Sequence, residues 1–177
     1  FEGEQHESMA RYPKLAERSF IVSSFGKTYH TTGWKMGYVL APTNLMAQFR
    51  KVYQYMAFSA NTPIQYALND ALKERNSYLG LSQFYQEKRD LFQKMIRGSK
   101  FEVLNCKGSY FQLLGYKNIS DMSDIEFAKK LTIENKIASI PISVFYRMKT
   151  DDKVLRFCFA KENETLEKAA EILCNIQ

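Results

Sequence analysis

The stretch SSFGKTYHTTGWKMGY, residues 23–38, limits this chain more than any other feature. An apolar, β-branched run (Phe20, Ile21, Val22) feeds a turn of small and polar residues, Ser24, Gly26, Lys27 and Thr28. A polar loop with His30, Thr31, Thr32, Gly33 and the only tryptophan, Trp34, then leads past Lys35 into a second apolar run, residues 36–40. The pattern predicts strand, turn, loop and strand, with a lysine at the end of the first strand.

A strand that ends in Gly-Lys-Thr suggests three chemistries. A phosphate-cradling P-loop needs a glycine five residues before the glycine of Gly-Lys-Thr. That position is Ile21, inside the apolar run, so no glycine-rich nest can form. A Ser-x-x-Lys serine hydrolase would use Ser24 as nucleophile and Lys27 as base, with Ser59 and Asn61 as a second motif, but its Lys-Thr-Gly occurs nowhere. The third is a lysine that forms an imine with pyridoxal phosphate, flanked by groups that hold the cofactor's phosphate.

Composition narrows the field further. With 177 residues, 45% hydrophobic and 14% aromatic, the chain can bury one sizeable core or two small ones. The net charge of +6 is spread along the sequence. No basic block is interleaved with aromatics, which argues for a solvated surface and against a nucleic-acid partner. Without a signal peptide or a long apolar run, a cytoplasmic protein with no membrane partner is expected. Cys106, Cys158 and Cys174 match neither a zinc spacing nor a disulfide framework, and no metal site is expected. Cys106 and Cys158 lie in strand-like runs and read as buried thiols.

Along the chain, residues 1–19 read as polar loop. A helix opens at Thr43 or Asn44, with Leu45, Phe49, Val52, Tyr53 and Met56 on one core-facing stripe. Thr62, as cap, and Pro63 open another. Asn76, Ser77 and Gly80 mark a break, so residues 1–80 form one domain and residues 81–177 a connector helix with a second domain. In that helix, capped by Ser82, Glu87, Lys88, Arg89 and Asp90 read as solvated surface. Residues 101–106 and 110–116 predict a hairpin. Ser123 with Glu126 is a capping box. Residues 138–145 form a β-branched run interrupted by Pro141, residues 154–160 a strand, and Asn163 caps a terminal helix. Strands alternating with helices give an α/β fold class.

SFGKTYHTTGWKMGY, FSANTPIQYAL, GSYFQLL and LRFCFAK together resemble the fold-type I pyridoxal-phosphate aminotransferases, nearest the methionine and kynurenine aminotransferase branch. The resemblance covers nearly the whole chain. It implies the end of the large cofactor domain followed by the small α/β domain, and a whole enzyme roughly double this length. It also implies pyridoxal 5'-phosphate as cofactor, amino acids (methionine or aromatic) and 2-oxo acids as substrates, and a homodimer. Kynurenine transamination, or β-elimination on cysteine conjugates, is the nearest alternative within the fold.

Residue by residue, Lys27 matches the imine-forming lysine, which later shuttles a proton at the substrate Cα. To attack an aldehyde it needs a partly buried setting near other cations. Ser24 and Lys35 match the phosphate pair; many relatives carry arginine in place of Lys35, whose ammonium keeps the charge without the fork. Arg156 matches the arginine that grips the substrate α-carboxylate, and an arginine between Leu155 and Phe157 needs such a partner or a structural salt bridge. Tyr29, His30, Phe58, Asn61 and Tyr110 are weaker matches near the site. The groups that stack and hydrogen-bond the pyridine ring fall in the half absent from this sequence, so the 177 residues alone are expected to show little or no transaminase activity.

Overall fold

Large apolar residues alternate with Arg156 and other half-buried positions along residues 154–158. A period of two requires a strand with one face in a core. The computed structural model, which describes residues 1–176, forms that strand as Val154–Cys158. The chain divides into two compact units, Gln5–Leu81, and Phe1–Glu4 with Ser82–Gln177.

Unit Gln5–Leu81 begins with a 3-10 turn, Met9–Arg11, and the short helix α1, Pro13–Ala16, where polar loop was expected. Pro13 starts α1 because its fixed φ suits a first helical turn and its missing N–H has no partner to lose there. Strand β1 (Ile21–Ser24) leads into the single-turn helix α2 (Phe25–Thr28), then a 3-10 turn (Thr32–Trp34) and strand β2 (Gly37–Leu40). The two strands pair antiparallel, Ile21 opposite Leu40 and Ser24 opposite Gly37. Helices α3 (Thr43–Met56), α4 (Thr62–Ala71) and α5 (Asn76–Leu79) come next.

Two expectations shift here. Asn61, not Thr62, caps α4, its Oδ1 accepting from the Ile64 amide at 3.2 Å. Asn61 supplies a side-chain oxygen to the third helical amide, while Pro63 inside the first turn has no amide to satisfy. The α3 stripe is only partly core. Leu45, Phe49 and Tyr53 are half-buried along one i, i+4 row, with Phe49 stacked on Tyr53 at 5.7 Å. Val52 lies to the side of that row and Met56 ends the helix, and both stay exposed.

The other unit contains α6 (Leu81–Met95), β3 (Glu102–Val103), β4 (Phe111–Gly115), α7 (Asp124–Glu134), β5 (Ile140–Pro141), a 3-10 turn (Ser143–Phe145), β6 (Val154–Cys158) and α8 (Asn163–Asn175). The sheet runs β3-β4-β6-β5 with every pair antiparallel. Pro141 sits on the edge strand, where its missing donor leaves no ladder bond unmade. Leu114, Leu155 and Phe157 point into a core with Phe92 and Ile96 of α6, Phe127 and Leu131 of α7, and Leu166 and Leu173 of α8. Each such side chain contributes about 1.5–3 kcal/mol by leaving water. Gln112, fully buried on the same face, is satisfied by Gln93, Leu104 O and Leu113 O.

The capping box forms as expected, with Ser123 and Glu126 exchanging side-chain and backbone bonds. Asn163 is the first residue of α8 and Glu162 holds the cap position. The larger correction is Arg89, which is buried rather than solvated. Its Nη1 donates to Cys106 O at 2.6 Å, and its Nη2 binds Glu2 and Asp90. With Lys107 binding Glu4 and the Glu2 amide donating to Gln86 Oε1 at 2.9 Å, these contacts tie Phe1–Glu4 to this unit. Cys106 is buried, which pushes its thiol pKa up, whereas Cys158 is half-buried and Cys174 exposed.

Tyr116 provides a test of this core. Its ring is fully buried and its hydroxyl donates to Met122 O at 3.1 Å. Burial first, then the charges of Asp151, Asp124 and Glu126, raise its pKa above the ordinary 10.0. A folded-state pKa above the unfolded one gives stability that is complete below the unfolded value and lost as pH rises through the folded one. Tyr116→Phe should therefore cost about 1 kcal/mol at neutral pH. It should also flatten the decline in stability above pH 10, read by urea unfolding across that range.

Candidate active site

The β1–β2 loop is held shut by backbone contacts. The Phe25 amide donates to Met36 O at 3.1 Å, the Thr31 amide to Gly26 O at 2.9 Å, and the Trp34 amide to Thr31 O at 2.9 Å. Gly26 is buried, and a Cβ there would stand 3.1 Å from Thr32 Cα and 3.3 Å from Ser24 Oγ. Gly37 is tighter still: a Cβ would meet Ser23 O at 2.5 Å, so only glycine lets the strands close. His30 and Lys35 have positive φ, 55° and 54°, a conformation that costs a side-chain-bearing residue about 1–2 kcal/mol.

On this frame Ser24 caps α2, its Oγ accepting from the Gly26 amide at 3.1 Å. The cap uses a lone pair and leaves the hydroxyl proton free to donate. Lys27 and Lys35 are both exposed, and neither ammonium has a hydrogen-bond or salt-bridge partner among the described residues. Within these 177 residues the buried position of the turn is Gly26, and Lys27 lies on its open side. Tyr29 Oη and Thr31 Oγ1, in the same loop, are shielded from water and unpaired among the described residues. A free hydroxyl proton and two free ammonium groups on one short loop fit a phosphate-bearing aldehyde.

Arg156 lies in the other unit, on the sheet face opposite the core. Residues on this face are set by the register: Arg156 pairs with Leu113 and Cys158 with Phe111. The guanidinium carbon sits over the Phe111 ring at 4.1 Å and the Phe145 ring at 5.0 Å from their centroids. No carboxylate lies within salt-bridge distance of it among the described residues, and its Nε is buried and unpaired. A half-buried cation without a counter-ion is costly, and its planar edge suits a carboxylate in two parallel bonds. A cavity of about 490 Å³ opens beside it, lined by Phe111, Ser139, Ile140 and Cys158 among others.

Ser24, Lys27 and Lys35 thus share one loop, and Arg156 belongs to the other unit. Phe111 and Phe145 escaped sequence reasoning; the one hint was that both are aromatics in runs flanking the Arg156 strand. Of the weaker matches, Phe58 is exposed with φ 60°, and Asn61 is the α4 cap. Among the described residues no group of three or more His, Cys, Asp or Glu is placed to hold a metal. None of their helices is long and apolar enough to cross a membrane.

Two substitutions in the loop should act with opposite signs. Gly37→Ala should destabilise by about 2 kcal/mol or more through its clash with Ser23 O. Lys35→Gly should stabilise by about 1 kcal/mol by relieving its left-handed backbone. Amide hydrogen exchange at Phe25 reports both, faster in the first variant and slower in the second.

Known proteins resemble this chain over nearly its whole length. The sequence model of the family "Aminotransferase class I and II" matches residues 1–173. The chain is 48% identical to methionine aminotransferase of Escherichia coli, covering 98% of this chain and 45% of that protein. It is 30% identical to kynurenine–oxoglutarate transaminase of Dictyostelium discoideum, covering 100% of this chain and 46% of that one. A solved structure of an Escherichia coli methionine aminotransferase superposes with a TM-score of 0.92 at 48% identity, covering 96% of this chain and 45% of the other. N-succinyldiaminopimelate aminotransferase of Mycobacterium tuberculosis superposes with a TM-score of 0.90 at 27% identity, over 100% of this chain and 47% of the other. The chain therefore spans about half the length of the curated relatives it matches.

Proposed function

The chain belongs to aminotransferase class I and II, and from that premise we propose that the full-length protein moves an amino group from an amino acid to a 2-oxo acid with pyridoxal 5'-phosphate as cofactor. The observation that carries the reading is the 48% identity to methionine aminotransferase over 98% of the chain. The same identity, against 30% for the kynurenine transaminases, favours methionine as donor. The roles of Ser24, Lys27, Lys35 and Arg156 are supported by the free donors on the β1–β2 loop and the unpaired guanidinium.

When bound, pyridoxal phosphate supplies an aldehyde carbon that carries the amino group and a ring that accepts the electrons of a substrate C–H bond. Lys27 would hold it covalently through Nζ, and its amine would take and return the proton at the substrate Cα. Ser24 donates its hydroxyl proton to a phosphate oxygen. Lys35 adds a compact positive charge to the same group, with less directional preference than an arginine fork. Arg156 orients the amino acid by binding its α-carboxylate along the guanidinium edge. We assign Gln5–Leu81 to the large cofactor domain, and Phe1–Glu4 with Ser82–Gln177 to the small domain. A homodimer is the proposed assembly, with Tyr55, Met56, Phe58 and Tyr66 of the first unit, each at least 71% exposed, as surface for a partner subunit or for the rest of the full-length chain.

Borohydride reduction of the full-length protein after incubation with pyridoxal phosphate should fix the cofactor on Lys27, seen by peptide mapping. A label on another lysine would refute the assignment. Arg156→Ala should leave that label intact while lowering kcat/KM for amino-acid donors by about a hundredfold. A coupled assay across donors should rank methionine above kynurenine.

A further inference from the structure

The guanidinium of Arg156 has two ways of interacting that do not compete. Its flat faces attract aromatic rings, and its edges carry the N–H groups that bind a carboxylate. In this structure its central carbon lies over the Phe111 ring at 4.1 Å and over the Phe145 ring at 5.0 Å, and no carboxylate among the described residues is within salt-bridge distance. An arginine held only by its stem would lose rotamer freedom on binding a ligand, and an arginine already held by rings beside it loses less.

The ring of Phe111 is fixed by the β4–β6 register. That of Phe145 is not fixed by packing, since 59% of the residue is exposed. It ends the 3-10 turn Ser143–Phe145, and that turn is anchored by a buried carboxylate. Asp124, 2% exposed at the start of α7, accepts from the Ser143 amide and from the Ser143 hydroxyl, each at 2.7 Å. The Asp124 amide in turn donates to Asp151 Oδ2 at 3.2 Å. Asp124 contacts neither ring nor guanidinium in these bonds, so any influence it has on Arg156 passes through Ser143 and the turn.

We propose that Phe145 and Phe111 are positioning residues that pre-orient Arg156 for an α-carboxylate, and that Asp124 sets the place of Phe145 through Ser143. The inference rests on the reading of Arg156 as the carboxylate-binding residue. It makes affinity for the carboxylate depend on an exposed ring that need not touch the substrate.

The test is calorimetric titration of 3-(methylthio)propionate, an unreactive carboxylate, into the full-length protein loaded with cofactor. Phe145→Leu, at an exposed position, should weaken binding about tenfold, the size of one cation–π contact. Phe145→Tyr should restore it, and the cofactor absorbance and thermal midpoint of both should match the unaltered protein. Ser143→Ala, which removes one of the two bonds to Asp124, should weaken binding about threefold. Unchanged affinity in Phe145→Leu, together with loss of binding in Arg156→Ala, would overturn the positioning role and leave the reading of Arg156 intact. Full affinity in Arg156→Ala, or no binding to the unaltered protein, would overturn both. Unchanged affinity in Ser143→Ala alone would remove Asp124 from the device.

Discussion

The register between β4 and β6 is the constraint on which most of the Ser82–Gln177 unit depends. Leu114 opposite Leu155, and Gln112 opposite Phe157, put the apolar positions of both strands on the helix-covered face. The same pairing leaves Arg156 and Phe111 on the other face. A slip of one residue would reverse every side chain, burying an unpaired guanidinium and exposing Leu155 and Phe157. Each of those two side chains would forfeit about 1.5–3 kcal/mol, and the buried charge would cost more. The packing that makes the core is thus also what sets the guanidinium apart from every described carboxylate.

The features legible in the sequence were those that depend on near neighbours. The Ser123–Glu126 capping box spans three residues, and it formed as read. The pairing runs of the β1–β2 loop and the strand around Arg156 were visible because periodicity is local. Arg89 was not, because its partners Cys106 and Glu2 lie 17 and 87 residues away, and no pattern on its own helix announces them. The run of residues 138–145 has strand-like composition, yet only Ile140–Pro141 pairs. The bonds from Ser143 to Asp124, 19 residues distant, bend residues 143–145 into a turn and so place Phe145. Tertiary hydrogen bonds outweighed β propensity there.

The candidate site shows the same division. Lys27, Ser24 and Lys35 stand out in one contiguous motif, and Arg156 by its incongruity between apolar neighbours. The exposure of Lys27 was not readable, because it depends on which residue of a four-residue turn faces inward, and Gly26 takes that place. The rings beside Arg156 come from two separate segments, and only the folded sheet brings them together.

The two units differ in how they sustain themselves. Of Gln5–Leu81 only Gly26, Met36 and Leu68 are buried, while large side chains such as Tyr55, Met56 and Phe58 are at least 80% exposed. Within these 177 residues, about half the length of the relatives, little of its stability can come from a core, and the loop carrying Ser24, Lys27 and Lys35 relies on backbone hydrogen bonds and the close strand contact at Gly37. Segments of that kind open at low free-energy cost. Anything that binds only their closed form stabilises them in proportion to the logarithm of its concentration over its dissociation constant. The unit bearing Arg156 has a contiguous core of its own and needs no such help. A cofactor held by Ser24, Lys27 and Lys35 would therefore do more to order its surroundings than a carboxylate held by Arg156, whose surroundings are already ordered by the sheet and by the two rings beside it.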